Sequence, residues 1–397
     1  MTWRHQLPAY SPISLGAWLN GVHASVASGD APFTELAQLL RGQYGCQDVV
    51  LTSSGTDALS LAIIGSSRGA TPRVALPGYG CYDLATAAVS AGADVWLYDV
   101  HPRTLAPDWD SAEAALRAGA TSLVVVHQFG LPVDLAQASA LAQRHGAVLI
   151  EDAAQGTGGS FAGKPLGAWG DLAVLSFGRG KGMTGGGGGA LLANSTAGVA
   201  VFPRLHALAA PQSNAGLMSR LAAQAVLSHP LLYGVPSAIP SLRLGETVYH
   251  APSAPAGMAR SSAGVLARQA AVCAEEATCR RANAARLLRR VQGLPGWSAP
   301  RAPEASEPGH LRLPLLREPG LARAGGDPGA ARRLGVMPGY PRELAQLPGF
   351  GDRVRNLSAG RAGTAELLRS LLTLPTHSRL APRDLDALES WLGNPDY

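Results

Sequence analysis

Lysine is nearly absent from this chain of 397 residues, whereas arginine is common. Lys164 and Lys181 are the two lysines among 33 basic residues, and the formal net charge of +5 at pH 7 is small for this length. The arginines form no long run, so neither the charge nor its distribution indicates a nucleic-acid-binding protein. A mild positive charge slightly favours anionic ligands.

Cysteine pairs and long apolar segments are also missing. The four cysteines include no Cys-x-x-Cys pair. We therefore expect a reduced, cytoplasmic protein and neither a disulfide framework nor a metal site. No run of about 18 uninterrupted apolar residues occurs, and the beginning of the chain has no apolar core of signal-peptide length. We expect neither export nor a membrane-spanning helix.

The chain does contain short apolar runs that alternate with segments of helical periodicity. Hydrophobic residues make up 46% of the chain, enough for one large core and one smaller core. Alternation of this kind predicts an α/β protein with a mainly parallel central sheet covered by helices on both faces.

Polar residues cluster where the predicted strands end. The carboxyl ends of parallel strands share one edge of the sheet, and ligands bind there. Ser54, Gly55 and Thr56 also start a predicted helix, whose N–H groups and dipole favour a phosphate, although an ordinary helix cap also explains them. The other candidates at strand ends are Tyr79 to Tyr82, His127, Asp152 to Gln155, and Ser176 to Lys181.

Lys181 stands among glycines after the apolar run at residues 172–177. A lysine in a chain that otherwise uses arginine indicates a need for an amine that can lose its proton and form a Schiff base, which guanidinium cannot do. The alternative is a lysine retained by chance on a solvated loop.

Two phosphate-binding motifs fail in this glycine-rich loop. Gly180, Gly182 and Gly185 have the spacing of a dinucleotide fingerprint, but further glycines and an apolar segment follow instead of a helix. A P-loop would need glycine at Leu175, and Ser or Thr at position 182.

Several segments resemble, in order and spacing, the DegT/DnrJ/EryC1/StrS aminotransferases, a family of pyridoxal-phosphate (PLP) enzymes of fold type I. They read TSSGTDALSLAI, VALPGYGCYDLATAAVSAGADVWLYDV, VVVHQFGLPVDL, VLIEDAAQGTGGSFAGKPLGAWGDLAVLSF and KGMTGGGGGALL. The resemblance implies a large PLP-binding domain at residues 1–250, with a helical insertion at about 196–250. It also implies a smaller C-terminal α+β domain at residues 251–397.

The resemblance also implies roles for individual residues. Lys181 is similar to the lysine that forms the Schiff base with PLP, and Asp152 to the carboxylate that faces the pyridine nitrogen. Such a carboxylate keeps the ring nitrogen protonated, as PLP requires to act as an electron sink. Gln155 matches a position near the ring oxygen. The remaining cofactor-binding positions are Ser54, Gly55, Thr56 and Ser176 for the phosphate, and Tyr79, Cys81 and Tyr82 around the ring.

The chain departs from the family pattern around the expected pocket. Cys81 stands where the family usually stacks an aromatic ring on the cofactor, so Tyr79 or Tyr82 must stack, or the stacking is weaker. The segment around Met258 lacks an asparagine that a neighbouring subunit supplies in many relatives. Residues 337–341 read Met-Pro-Gly-Tyr-Pro, without the usual histidine. These changes predict an altered acceptor pocket.

The resemblance implies a homodimeric aminotransferase with shared active sites. We expect it to move an amino group from an amino acid, glutamate, to a keto-sugar or a nucleotide-linked keto-sugar. Elimination or dehydration would use the same cofactor residues, and so would transamination of a non-sugar ketone. A cofactor-free binding or regulatory protein would have no reason to keep Lys181.

Residues 201–243 form the part of the insertion with the clearest helical pattern. Leucine and alanine at helical spacing usually indicate core packing. A substrate wall, a dimer element and a membrane-surface helix are the other interpretations of this stretch.

Overall fold

A computed structural model describes residues 4–67, 70–210, 216–239, 241, 247–318 and 328–393. The strands are β1 (Asp48–Thr52), β2 (Arg73–Pro77), β3 (Asp94–Tyr98), β4 (Ser122–Val126), β5 (Val148–Asp152), β6 (Ser160–Phe161), β7 (Lys164–Pro165), β8 (Leu172–Ser176), β9 (Gly189–Ala193), β10 (Trp297–Ser298), β11 (Ser306–Glu307), β12 (Leu313–Arg317), β13 (Met337–Pro338) and β14 (Leu371–Leu374).

Helices surround these strands. They are α1 (Leu15–Val26), α2 (Ala31–Tyr44), α3 (Gly55–Ser66), α4 (Asp83–Ser90), α5 (Trp109–Arg117), α6 (Leu135–Arg144), α7 (Thr196–Val199), α8 (Phe202–Leu208), α9 (Leu217–Leu227), α10 (Gly234–Ser237), α11 (Arg260–Leu266), α12 (Ala270–Val291), α13 (Pro328–Arg333), α14 (Ala362–Ser370) and α15 (Pro382–Gly393). Short 3₁₀ turns occur at Gln128–Gly130, Leu344–Gln346 and Gly351–Arg353.

Seven strands form the central sheet in the order β1-β9-β8-β5-β4-β2-β3. Strand β9 runs antiparallel to both of its neighbours, and the other pairs in this sheet are parallel. Strands β4 and β8 are buried along their whole length, as expected for parallel strands that helices cover on both faces. The predicted mainly parallel α/β sheet is confirmed.

The register of the central sheet brings the predicted strand-end residues together. Asp152 pairs with Val126 of β4 on one side and with Val174 of β8 on the other. Thr52 and Ser176 both pair with Gly189 of β9. The residues after β1, β4, β5 and β8 therefore meet along one edge.

A second, antiparallel sheet lies in the C-terminal part of the chain, with strand order β10-β12-β14-β13. Its apolar core includes Leu287, Leu313, Leu388 and Trp391, which draws α12 and α15 onto the sheet. The long helix α12 also reaches the larger core through Cys273. The domain boundary at residue 250 stays a prediction.

The stretch at residues 196–250 contains α7 to α10. Leu217 and Leu221 of α9 pack in a small cluster with Ala17 of α1 and Val265 of α11. Elsewhere this stretch exposes apolar side chains; Val235, for example, is 66% exposed. Residues 211–215, 240 and 242–246 of the predicted insertion lie outside the described residues. Packing therefore accounts for one face of α9.

Neither a membrane-spanning helix nor a candidate metal cluster occurs among the described residues. Within the described part of the chain, every helix is too short or too polar to cross a bilayer. The same residues contain no group of three or more His, Cys, Asp or Glu side chains placed to hold a metal ion. All four cysteines are free.

Candidate active site

Asp152 ends β5 and is buried, with only 7% of its surface exposed. Among the described residues, one hydrogen bond holds its side chain, from the Ala154 N–H to Oδ1 at 3.0 Å. Burial raises the pKa of the Asp152 carboxyl, and the Ala154 N–H and the charge on Lys181 oppose that effect without cancelling it. Asp152 is thus a buried acid with little local compensation.

Lys181 lies in the loop between β8 and β9 and is partly buried. Its backbone is fixed by the Ser11 hydroxyl, which donates to the Lys181 carbonyl oxygen at 2.7 Å. Its positive charge lowers the pKa of both the Asp152 carboxyl and the Cys81 thiol. The structure therefore places Lys181 close enough to Asp152 and Cys81 for its charge to influence both groups.

Cys81 follows β2 and holds its thiol close to Asp83, with Sγ donating to Oδ2 at 3.5 Å. Burial raises the pKa of the Cys81 thiol to about 12, and the carboxylate of Asp83 adds to this shift. The thiolate is the reactive form of cysteine, and a raised pKa disfavours it at neutral pH. It supplies a neutral, polarisable surface beside Lys181 and Asp152.

Gly55 and Ser176 touch where α3 begins. A Cβ atom at position 55 would lie only 2.6 Å from Ser176 Cβ, so a side chain there would collide with Ser176. The Ser54 hydroxyl accepts a hydrogen bond from the Asp57 N–H at 3.0 Å and therefore caps α3. Thr56 lies in the first turn, which places a helix N-terminus and the Ser176 hydroxyl side by side.

Gln155 connects the large sheet to the C-terminal part of the chain. Its Oε1 accepts a hydrogen bond from the Phe129 N–H, and its Nε2 donates to the Tyr340 hydroxyl, both at 2.9 Å. The rings of Phe129 and Tyr340 stack with centroids 5.5 Å apart. The functional assignments made from the sequence missed Tyr340, although it lies within the Met-Pro-Gly-Tyr-Pro segment.

Tyr79 and Tyr82 are both buried after β2. The Tyr79 hydroxyl accepts a hydrogen bond from the Tyr340 N–H at 2.9 Å, and its ring meets Tyr340 edge-on. Burial raises the pKa of Tyr82, and Arg342 opposes this. The stacking role expected of one of these rings stays a prediction.

His127 forms a fully buried pair with Glu151, the residue before Asp152. His127 Nδ1 accepts the Val133 N–H at 3.1 Å, which leaves Nε2 to donate to Glu151 Oε1 at 2.9 Å. The carboxylate also accepts backbone N–H groups of Gly167 (2.6 Å), Trp169 (2.9 Å) and Gly170 (3.0 Å). His127, a candidate site residue, thus joins Glu151 to the loop that contains Val133.

Sequence reasoning also missed two residues near this edge, Tyr233 and Arg312. Burial raises the pKa of Tyr233, while Arg179 and Arg312 lower it, so the insertion brings a hydroxyl near two cations. The His5 N–H donates to the Pro230 carbonyl oxygen at 3.0 Å and anchors this part of the insertion. The sequence feature that could have identified Arg312 is its place directly before an apolar strand.

Comparison with known protein families shows which family this chain belongs to. A family model for the DegT/DnrJ/EryC1/StrS aminotransferase family matches residues 27–390. The chain belongs to this family. The resemblance inferred from the quoted segments is therefore confirmed for nearly the whole chain.

Two relatives of this DegT-family chain carry aminotransferase names. It is 35% identical over 178 residues to the L-glutamine:2-deoxy-scyllo-inosose aminotransferase of Streptomyces kanamyceticus, covering 45% of this chain and 41% of that protein. It is 34% identical over 156 residues to the UDP-N-acetyl-3-dehydro-alpha-D-glucosamine 3-aminotransferase of Acidithiobacillus ferrooxidans, covering 39% and 42%. The chain thus aligns with less than half the length of either relative.

Solved structures support the fold over the full chain. The structure of AtS13 from Actinomadura melliaura has a TM-score of 0.75 at 20% identity and covers 98% of both chains. A DegT DnrJ EryC1 StrS aminotransferase from Brucella abortus has a TM-score of 0.70 at 22% identity, covering 95% of this chain and 93% of that one. At these identities the likeness concerns the fold.

The residues of this DegT-family site fit PLP. Asp152 is a buried carboxylate with one hydrogen bond, suited to a protonated ring nitrogen. Because Gly55 has no side chain, the Ser176 side chain packs against the start of α3, which places a hydroxyl beside a helix N-terminus, a combination suited to a phosphate. Lys181 carries an amine in the same electrostatic environment as Asp152.

Proposed function

We propose that this chain is a PLP-dependent aminotransferase that moves an amino group from an α-amino acid to a keto-sugar or a similar polyhydroxy ketone. One observation carries the proposal: the buried Asp152 carboxyl, whose pKa the charge of Lys181 lowers, lies at the carboxyl edge of a parallel sheet. An amine and a buried carboxyl with a raised pKa at this edge match the two ends of a pyridoxal ring.

Four groups would hold the cofactor. Lys181 would be the covalent attachment point, and Asp152 would pair with the pyridine nitrogen. The Gln155 amide, which Phe129 and Tyr340 orient, would serve the ring oxygen. The start of α3, with Gly55, Thr56 and the Ser176 hydroxyl, would hold the phosphate. When bound, PLP supplies an electron sink for bond breaking at the substrate amino carbon.

The protein would contribute charge control and proton transfer. Asp152 holds a proton on the ring nitrogen, because a buried carboxylate raises the pKa of an adjacent base. Lys181 Nζ would move a proton at the substrate amino carbon. Cys81 stays a neutral thiol and adds no competing charge.

The names of two relatives and the altered pocket favour particular classes of amino donor and acceptor. We expect glutamate as the amino donor, and the Streptomyces kanamyceticus relative adds glutamine as a second candidate, since its name specifies L-glutamine. The two relatives are named for a cyclitol ketone and a nucleotide-linked keto-sugar, which favours a polyhydroxy acceptor. The altered segment at residues 337–341 favours a pocket reshaped from the usual nucleotide-hexose mode.

We also propose a homodimer. Apolar side chains on α1 are exposed, with Leu15 at 72% and Val26 at 82%, as are Leu231 and Val235 in the insertion. Exposed apolar patches mark interaction surfaces, and two-fold dimers are the commonest assembly. Sedimentation at assay concentration should show a dimer; a fully active monomer would contradict this proposal.

Absorbance spectra of the two half-reactions test the function. Glutamate or glutamine should convert the bound PLP to its amine form, and a keto-sugar or nucleotide-linked keto-sugar should restore the starting spectrum. Rapid reaction with an apolar ketone alone would remove the sugar assignment but keep the aminotransferase. Release of ammonia from the donor, with no transfer to any acceptor, would favour elimination instead.

A further inference from the structure

Arg312 lies directly against the residues that surround Gln155. Its backbone N–H donates to the Phe129 carbonyl oxygen at 3.3 Å. One residue further, Gly130 has φ +83°, and a Cβ there would come within 3.1 Å of the Gln155 carbonyl oxygen. It would also come within 2.8 Å of the Leu311 N atom. Phe129 and Gly130 therefore lie between the segment that leads into β12 and the backbone of Gln155.

The guanidinium of Arg312 has little compensation. Its Nη2 donates to the Thr373 carbonyl oxygen at 3.5 Å, and its buried Nε has no hydrogen-bond partner among the described residues. It forms no ion pair with a carboxylate in the part of the chain that the structure describes. Burial lowers the pKa of Arg312 to about 10, against the effects of Tyr340, Tyr233 and Tyr79.

Arg312 is partly buried, and a desolvated guanidinium without a carboxylate is costly, because buried charges are normally paired and hydrogen-bonded. The electrostatic neighbours of Arg312 are phenols instead of acids: Tyr340 from the C-terminal part, Tyr233 from the insertion and Tyr79 from the large sheet. A guanidinium fork matches the two oxygens of a carboxylate or phosphate. The arrangement therefore suits an anionic group brought by a ligand.

We propose that Arg312 binds the α-carboxylate of the amino donor. The inference rests on the proposed function and names the donor-recognition residue of that site. An α-carboxylate is bonded to the reacting carbon itself, so the group that binds it must lie beside the cofactor ring. In a nucleotide-linked sugar, the sugar ring separates the phosphates from the keto carbon. Arg312, one contact from Gln155, has the position that a carboxylate requires.

Binding measurements on the holoenzyme test this first. Arg312→Met and Arg312→Lys are compared with Arg317→Met, which removes an arginine at the opposite end of the same strand, β12. We expect the dissociation constant of glutamate or glutamine to rise on the order of 100-fold in Arg312→Met. Arg312→Lys should lose less affinity, and Arg317→Met should match the wild type.

The half-reactions then distinguish the two possible anions. In Arg312→Met, kcat/KM should fall in the donor half-reaction, while reaction of the amine form with a keto-sugar nucleotide stays near the wild-type rate. An amine donor without an α-carboxylate should react equally well with both proteins. Loss confined to the acceptor half-reaction would assign Arg312 to a phosphate and overturn the inference.

Other outcomes separate this inference from the proposed function. If the wild type exchanges amino groups and Arg312→Met binds donor normally, the inference on Arg312 fails and the aminotransferase stands. If no amino acid binds or reacts with the wild-type holoenzyme, both fail. Equal losses in both half-reactions, with a lowered melting temperature, would indicate a structural role and overturn the inference.

Discussion

Glu151 and Asp152 are adjacent buried carboxylates at the end of β5, and their environments are opposite. Glu151, at 0% exposure, accepts hydrogen bonds from His127 and three backbone N–H groups. Burial alone would raise its pKa, but His127 and the N–H groups of Gly170 and Gly167 hold it below its usual value. Asp152, next along the strand, has one such bond and a raised pKa.

This contrast separates a structural acid from a functional one. Adjacent residues of a strand point to opposite faces, so one carboxylate can be satisfied by the loops while its neighbour faces the site. A fully hydrogen-bonded carboxylate stabilises the fold, whereas an uncompensated one is suited to a ligand that brings positive charge. The comparison therefore supports the proposal that Asp152, and not Glu151, is the cofactor acid.

The largest expected effect is on turnover in Asp152→Asn. An amide cannot hold the proton on the ring nitrogen by charge, and related electrostatic deletions cost on the order of 100-fold or more in rate. Single-turnover deamination of the donor measures this, with the exposed Asp110→Asn as a control expected to react normally. A near-normal rate in Asp152→Asn would remove the electron-sink role.

Glu151→Gln should change stability instead. Its amide N–H₂ would face the backbone donors of residues 167–170 and disturb the bond with His127. Leaving a buried hydrogen-bonding group unsatisfied costs about 1–3 kcal/mol, and several N–H groups lose their acceptor here. Denaturant unfolding of the cofactor-free protein measures the difference. A loss below about 1 kcal/mol, a typical net value for one hydrogen bond, would show that Glu151 is not the structural acid described.

The pH dependence of stability should show the same contrast with opposite signs and smaller size. The pKa of Glu151 is lowered on folding, so its contribution is present above the unfolded pKa and is lost as pH falls through the folded pKa. The pKa of Asp152 is raised, so its ionised form destabilises the cofactor-free protein at neutral pH, and acidification relieves this.

Unfolding of cofactor-free variants between pH 7 and pH 3 measures both effects. Glu151→Gln should be less stable than the wild type at neutral pH, and the difference should shrink on acidification. Asp152→Asn should be at least as stable as the wild type at neutral pH, and any advantage should also shrink. Parallel curves for all three proteins would contradict the assignment of the two pKa shifts.

Local patterns predicted the large sheet well. Short apolar runs before polar residues placed β1, β4, β5 and β8, and parallel geometry then required their ends to meet. The scarcity of lysine singled out Lys181. Ser54 is the cap of α3 that its position after β1 also indicated.

Long-range contacts account for what sequence reasoning missed. Tyr340 meets Gln155 across 185 positions in the chain, and Arg312 meets Phe129 through a backbone crossing. No local period encodes either contact. The opposite environments of Glu151 and Asp152 depend on the loops at residues 127–133 and 167–170. These loops supply the hydrogen bonds to His127 and Glu151. The adjacent Glu and Asp in the sequence do not by themselves reveal this difference in environment.

The most direct test of the account is to reduce the PLP-loaded protein with borohydride and map the modified peptide. The structure places Lys181 in the same environment as Asp152, whereas Lys164 is exposed on β7 with its amine 5.0 Å from the Trp169 ring centroid. We predict a pyridoxyl group on Lys181 and its loss in Lys181→Ala but not in Lys164→Ala. A pyridoxyl group on Lys164, or on neither lysine, would contradict the account.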